Sequence, residues 1–157
     1  MGKSILVTGI SGWIAQYCAA ELLKNGVNVK GSLRNLNRKQ EVITALSPFM
    51  QSENQLCFCE LDLLNDKGWD DAMAGCSNVL HVASPFDIQE PTDKQELIKP
   101  AKEGTLRALT FAQKAGIKRV VLTSSIAAMC AHMKKGNFSE KSWTDLASTQ
   151  PSTYQRS

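Results

Sequence analysis

Hydroxyl groups near the end of the chain are the first candidates for chemistry. Ser124 and Ser125 stand side by side at the end of an apolar run in "KRVVLTSSIAAM", and Tyr154 sits in the closing "PSTYQRS". A serine, a tyrosine and a lysine one helical turn beyond the tyrosine make a site that can reduce a carbonyl. The phenol protonates the developing alkoxide while a bound cofactor delivers hydride. A free phenol is a poor acid or base at neutral pH, and a lysine cation beside it favours the phenolate. Lowering its titration point by about three pH units corresponds to roughly 4 kcal/mol. Successive side chains on a strand point to opposite faces, so only one of Ser124 and Ser125 is expected to face a crevice.

The hydride source would sit at the other end of the chain. The first apolar run, "SILVT", leads straight into "TGISGWIAQ", which reads Gly9-x-x-Gly12-x-x-Ala15 at the opening of a helix. Gly9 permits a tight turn, Gly12 lets backbone approach a pyrophosphate, and Ala15 lets the helix lie close to the strand. Ser11, Gly12, Trp13 and Ile14 belong to the turn and the helix start, where free N–H groups and the positive dipole end favour an anion. The next strand is followed by "LRNLNRKQ", with no acid between Asn25 and Gln40. A ribose 2′-hydroxyl calls for an acid there, whereas a 2′-phosphate calls for arginine. Arg34 and Arg38 are spaced to share a face if the segment is helical, so the reading is NADP(H).

Three further strand ends complete the candidate site. Asp62 and Leu63 end the third strand; a carboxylate there either caps the next helix or accepts from an adenine amino group. Ala83, Ser84 and Pro85 end the fourth, small enough for backbone to pass close to a ribose and nicotinamide. Thr123 ends the fifth. His81 reads as a core or sheet histidine and His132 as solitary, so no metal site is indicated.

These residues need a scaffold that gathers strand ends. Five apolar runs, near 4–8, 28–33, 56–60, 78–82 and 119–123, alternate with helical spacing. The helical faces read Ile14, Cys18 and Leu22 up to Asn25-Gly26, then Leu97, Ala101, Thr105, Ala108 and Ala112 up to Gly116, with Pro100 expected to kink the second helix or to start it. Alternation of nearly continuous apolar strands with helices predicts an α/β fold: a doubly wound parallel sheet of Rossmann type in order 3-2-1-4-5. The nucleotide-binding domain is expected over 1–130, with a loop over 131–157 leading to the tyrosine helix.

Composition narrows the class. The chain has 157 residues, 43% of them hydrophobic, enough for one domain with a core. Its net charge of +3, from 18 basic and 15 acidic residues without a long like-charge run, gives no nucleic-acid footprint. The five cysteines form no CxxC pair, and three lie within apolar runs where a buried free thiol is usual, which suits a reducing cytoplasm. No signal peptide or membrane span is visible in the sequence.

The stretches "VTGISGWIA", "HVASPFD", "IKPAKEGTLRAL", "KRVVLTSSIAA" and "FSEKSW", followed by "TYQRS", resemble the N-terminal half of the extended short-chain dehydrogenase/reductases. The likeness covers essentially the whole chain. It is nearest to the branch of dihydroflavonol reductases, cinnamoyl-CoA reductases and yeast-type aldehyde reductases. The resemblance implies NADPH-dependent reduction of an aldehyde or ketone, with Ser125 and Tyr154 catalytic. It also implies Gly9, Gly12 and Ala15 as the glycine turn, and Arg34 with Arg38 at the 2′-phosphate. It leaves room for a homodimer through the helix near 93–115 and the tyrosine helix. The family pattern is Tyr-x-x-x-Lys, and this sequence stops at Ser157. Arg156, two residues after the tyrosine, faces elsewhere on a helix and is no substitute. The expectation is therefore a fragment with little activity of its own. The alternatives are a non-catalytic NADP(H)-binding module or redox sensor, and a nucleotide-sugar epimerase or dehydratase.

Overall fold

The computed structural model describes residues 4–85, 92–130, 136–144 and 152–156. His132 falls outside them.

Five strands form one sheet: β1 (Ser4–Val7), β2 (Val29–Leu33), β3 (Leu56–Glu60), β4 (Cys76–His81) and β5 (Arg119–Leu122). Their order is β3-β2-β1-β4-β5, and every neighbouring pair is parallel. The expected topology is therefore the observed one. Ile5 pairs with Val29 and Asn78, so β1 is central, with β2 on one side and β4 on the other.

Alternation along β1 divides the core in two. Val7 faces Ala15, Ala19 and Leu23 of α1 (Trp13–Lys24) and Val42 and Leu46 of α2 (Lys39–Leu46). Leu6 and Val79 face Trp69, Ala72 and Met73 of α3 (Trp69–Met73) and Ala108 and Ala112 of α4 (Gln95–Lys114). Leu6, Val7, Leu23 and Val79 are fully buried, each contributing about 1.5–3 kcal/mol through area removed from water. Each face of the sheet thus has its own helical layer.

Two helical readings need correction. The buried stripe of α1 is Ala15, Ala19 and Leu23, one position beyond the larger apolar residues, and Ile14 is half exposed. The alanines have the small volume that lets a helix lie close on the sheet. Pro100 does not start α4, which begins at Gln95, where the Asp93 carboxylate accepts from the Gln95 amide at 2.9 Å. Proline sits in the second turn instead, where its missing N–H removes one bond to Glu96. Both helices end where expected. The amides of Gly26 and Val27 donate to Leu23 and Leu22, and those of Gly116 and Ile117 donate to Gln113 and Ala112.

Two one-turn helices follow: α5 (Ala127–Cys130) and α6 (Thr153–Arg156). α6 rests against α4 and α5. Thr144 returns to α5, its amide donating to the Ala128 carbonyl at 2.8 Å and its hydroxyl to Ala127 at 2.9 Å.

Candidate functional site

The carboxyl ends of the strands open into a cleft of about 1200 Å³ at the point where the strand order reverses, beside β1 and β4. Gly9 opens the turn from β1 with φ +66°, and a Cβ there would lie 3.0 Å from the Ala83 backbone. A side chain there would be strained by the positive φ and would press on Ala83. The Gly9 amide donates to the Ser32 hydroxyl at 3.0 Å, and the Ile10 amide to the Ser32 carbonyl at 3.0 Å. The turn is closed by the Gly12 amide on the Gly9 carbonyl at 2.8 Å. No side chain caps α1 at Gly12. The first amides of that helix, on Trp13, Ile14 and Ala15, have no acceptor within it, and these residues line the cleft.

Behind the turn lies a polar clamp that the sequence reading missed. The buried Thr8 hydroxyl oxygen accepts from the Val82 and Ala83 amides, each at 3.0 Å, and lies 2.9 Å from Nδ1 of His81. With both lone pairs engaged, the hydroxyl gives its hydrogen to Nδ1, which assigns the imidazole as the neutral Nε2–H tautomer. Burial pushes His81 down to about 4. His81 is thus the core histidine expected, with the added task of fixing Thr8. Thr8 and Ser32 read only as strand residues in "VTG" and "KGSL", because nothing local marks a hydroxyl as buried.

The basic arm follows β2. Arg34 lies in a bend and Asn35 is extended, and helical turns begin only at Leu36, where the Asn35 side chain accepts from the Asn37 amide at 2.9 Å. Arg34 and Arg38 therefore share no helical face, yet both line the cleft. Arg38 donates from Nη1 to the Ser11 hydroxyl at 3.2 Å, and from Nε and Nη2 to the two carboxylate oxygens of Glu41 at 3.0 and 2.9 Å.

Asp62 is not the cap of α3, whose N-cap is Gly68. Its carboxylate accepts from the Leu64 amide at 2.8 Å, closing a local turn whose side faces the cleft. One nearby and one distant side chain anchor this loop. Trp69 Nε1 donates to the Asp62 and Asn65 carbonyls at 3.2 and 3.0 Å, and the Arg107 guanidinium binds the Leu63 carbonyl and Asp66.

The fourth and fifth strand ends border the same cleft as Tyr154. Ala83, Ser84, Pro85, Thr123, Ser124, Ser125 and Tyr154 all line the cleft. Both serines do so, contrary to the alternation argument, because β5 ends at Leu122 and the serines lie beyond it. The Ser125 hydroxyl oxygen accepts from the Ala127 amide at 3.2 Å, leaving its hydrogen to donate. α6 carries Tyr154 to the same cleft. Every site residue expected from the sequence thus lines this one cleft. Thr8, Ser32, Glu41, Trp69 and Arg107 are the partners that hold them.

A model of the NAD dependent epimerase/dehydratase family matches residues 5–157. The chain is 32% identical over 146 residues to the bifunctional dihydroflavonol 4-reductase/flavanone 4-reductase of Malus domestica, covering 92% of this chain and 42% of that protein. It is 39% identical over 137 residues to the cinnamoyl-CoA reductase CAD2 of Medicago truncatula, covering 85% and 41%. Among solved structures, yeast methylglyoxal/isovaleraldehyde reductase Gre2 complexed with NADPH superposes with a TM-score of 0.81 at 29% identity, covering 97% of this chain and 48% of that one. The chain spans less than half the length of these relatives.

Proposed function

Because the chain belongs to the NAD dependent epimerase/dehydratase family, we propose that it carries the NADP(H) site and the serine and tyrosine of a reductase acting on an aldehyde or ketone. The observation that carries this reading is one cleft lined by an uncapped glycine turn, two arginines and a serine–tyrosine pair. The cleft suits such a dinucleotide. Its volume of about 1200 Å³ exceeds the roughly 300–1,000 Å³ typical of a drug-sized ligand. A Cβ at Gly12 would crowd the Gly9 carbonyl at 3.2 Å, just where backbone must approach phosphate.

In this reading the pyrophosphate lies against the Gly12 backbone and takes the Trp13 and Ile14 amides, and Arg34 with Arg38 takes the 2′-phosphate. Asp62 accepts from the adenine amino group beside Leu63. Ala83, Ser84, Pro85 and Thr123 border the nicotinamide ribose, with Ser11 at the phosphate turn. A bound reduced nicotinamide supplies the hydride. Ser125 donates to the substrate carbonyl oxygen and orients it, and Tyr154 gives that oxygen its proton. The reductases of Malus domestica, Medicago truncatula and yeast named above support a carbonyl substrate.

Removing the phenolic proton tests the assignment. In a chain extended to the length its relatives span, Tyr154→Phe is expected to lower NADPH oxidation in the presence of aldehydes by about 100-fold or more relative to the extended parent, a size typical of losing a positioned acid. NADPH affinity should be unchanged. Undiminished oxidation by the phenylalanine variant rejects Tyr154 as the proton donor.

A further inference from the structure

Arg38 reaches the cleft from the start of α2, and its side chain is 53% exposed. An arginine so exposed samples many rotamers, and roughly 2 kcal/mol of side-chain entropy opposes fixing it. Here three of its five N–H donors are engaged. Nε and Nη2 grip the two oxygens of Glu41 as a fork at 3.0 and 2.9 Å, and Nη1 donates to Ser11 Oγ at 3.2 Å. The fork fixes the plane of the guanidinium, since both bonds lie along one of its edges. The contact with Ser11 directs its far end toward the glycine turn. One hydrogen on Nη1 and one on Nη2 remain to donate to the oxygens of a phosphate monoester.

We propose that Glu41 is a positioning residue that presents Arg38 end-on to the 2′-phosphate, and so contributes to selection of NADP(H) over NAD(H). The inference rests on the NADP(H) reading above. Glu41 is anionic and would repel a phosphate, but it is itself 56% exposed, so water and salt weaken that repulsion. The same screening weakens the ion pair of the fork, whose two hydrogen bonds still set the direction of the guanidinium. Glu41 and Arg38 also stabilise each other's charged forms, since the hydrogen bonds between them raise the arginine and lower the carboxyl.

Calorimetric titration with adenosine 2′,5′-bisphosphate and with 5′-AMP tests this without any turnover. The parent is expected to prefer the 2′-phosphorylated nucleotide. Glu41→Ala should reduce that preference about three- to fivefold, the size of a good exposed ion pair, with 5′-AMP affinity unchanged. Glu41→Gln, which can accept through only one oxygen, should fall between. In an Arg38→Ala background the Glu41→Ala change should have no further effect. Unchanged or increased preference in Glu41→Ala overturns the proposal, as does an equal loss for both nucleotides, which would make Glu41 merely structural. A parent with no preference at all removes the NADP(H) reading itself, and this proposal with it.

Discussion

Thr8 has one hydrogen to give and two lone pairs to fill, and the site's back wall uses all three. The Val82 and Ala83 amides take the lone pairs, so His81 must remain an acceptor at Nδ1. Protonating His81 would set an N–H against the hydroxyl hydrogen. Its folded value of about 4 lies below the ordinary 6.5. Between those values the unfolded chain binds a proton that the folded chain refuses. This contribution to stability is therefore complete above 6.5 and is lost as pH falls toward 4, by about 1.4 kcal/mol per pH unit and roughly 3 kcal/mol in all. Urea unfolding at several pH values in this window, on the parent and on His81→Gln, measures it. The parent's stability should fall more steeply with acid than the variant's; parallel curves would mean that His81 is not held neutral. The sequence made His81 legible as a core residue but not as half of a clamp, since Thr8 lies 73 positions away.

Elements are where the sequence speaks most clearly. The alternation of apolar runs and helical spacing carries the sheet order, because a parallel sheet with right-handed crossovers leaves few arrangements. Asn25-Gly26 and Gly116 mark helix ends through a local backbone device that needs no distant partner. Of the two roles expected of Pro100, that of helix start fails for the complementary reason: a proline disfavours helix locally, while the burial of Leu97 one turn earlier holds α4 in place. The packing of α4 on the third strand end was equally invisible. A Cβ on Gly104 would lie 2.8 Å from Cδ2 and 2.9 Å from Cβ of Leu63. Gly104→Ala should therefore push α4 and the Asp62–Leu63 loop apart, destabilising the fold by about 1–3 kcal/mol as overpacking does. This outweighs the gain of up to about 1 kcal/mol from alanine's helix propensity. A thermal midpoint that rises in Gly104→Ala would show that the contact is slack.

At the scale of the whole molecule, one cleft collects residues from Gly9 to Tyr154, and its position follows from topology. Strand ends gather on one side of a parallel sheet, and the reversal of order beside β1 and β4 opens a crevice there. No helix among the described residues is long and apolar enough to cross a membrane. The basic character of the second strand end was readable from Arg34, Arg38 and the missing acid. How those arginines are held was not, because it depends on Ser11, 27 positions before Arg38. The central claim is that this cleft selects a 2′-phosphorylated dinucleotide, and direct calorimetric titration of the chain with NADPH and NADH tests it most simply. The expected result is NADPH binding at least about tenfold tighter, equivalent to about 1.4 kcal/mol, with most of that difference abolished by Arg34→Ala. Equal affinity for the two cofactors, or a preference untouched by Arg34→Ala, would contradict the account.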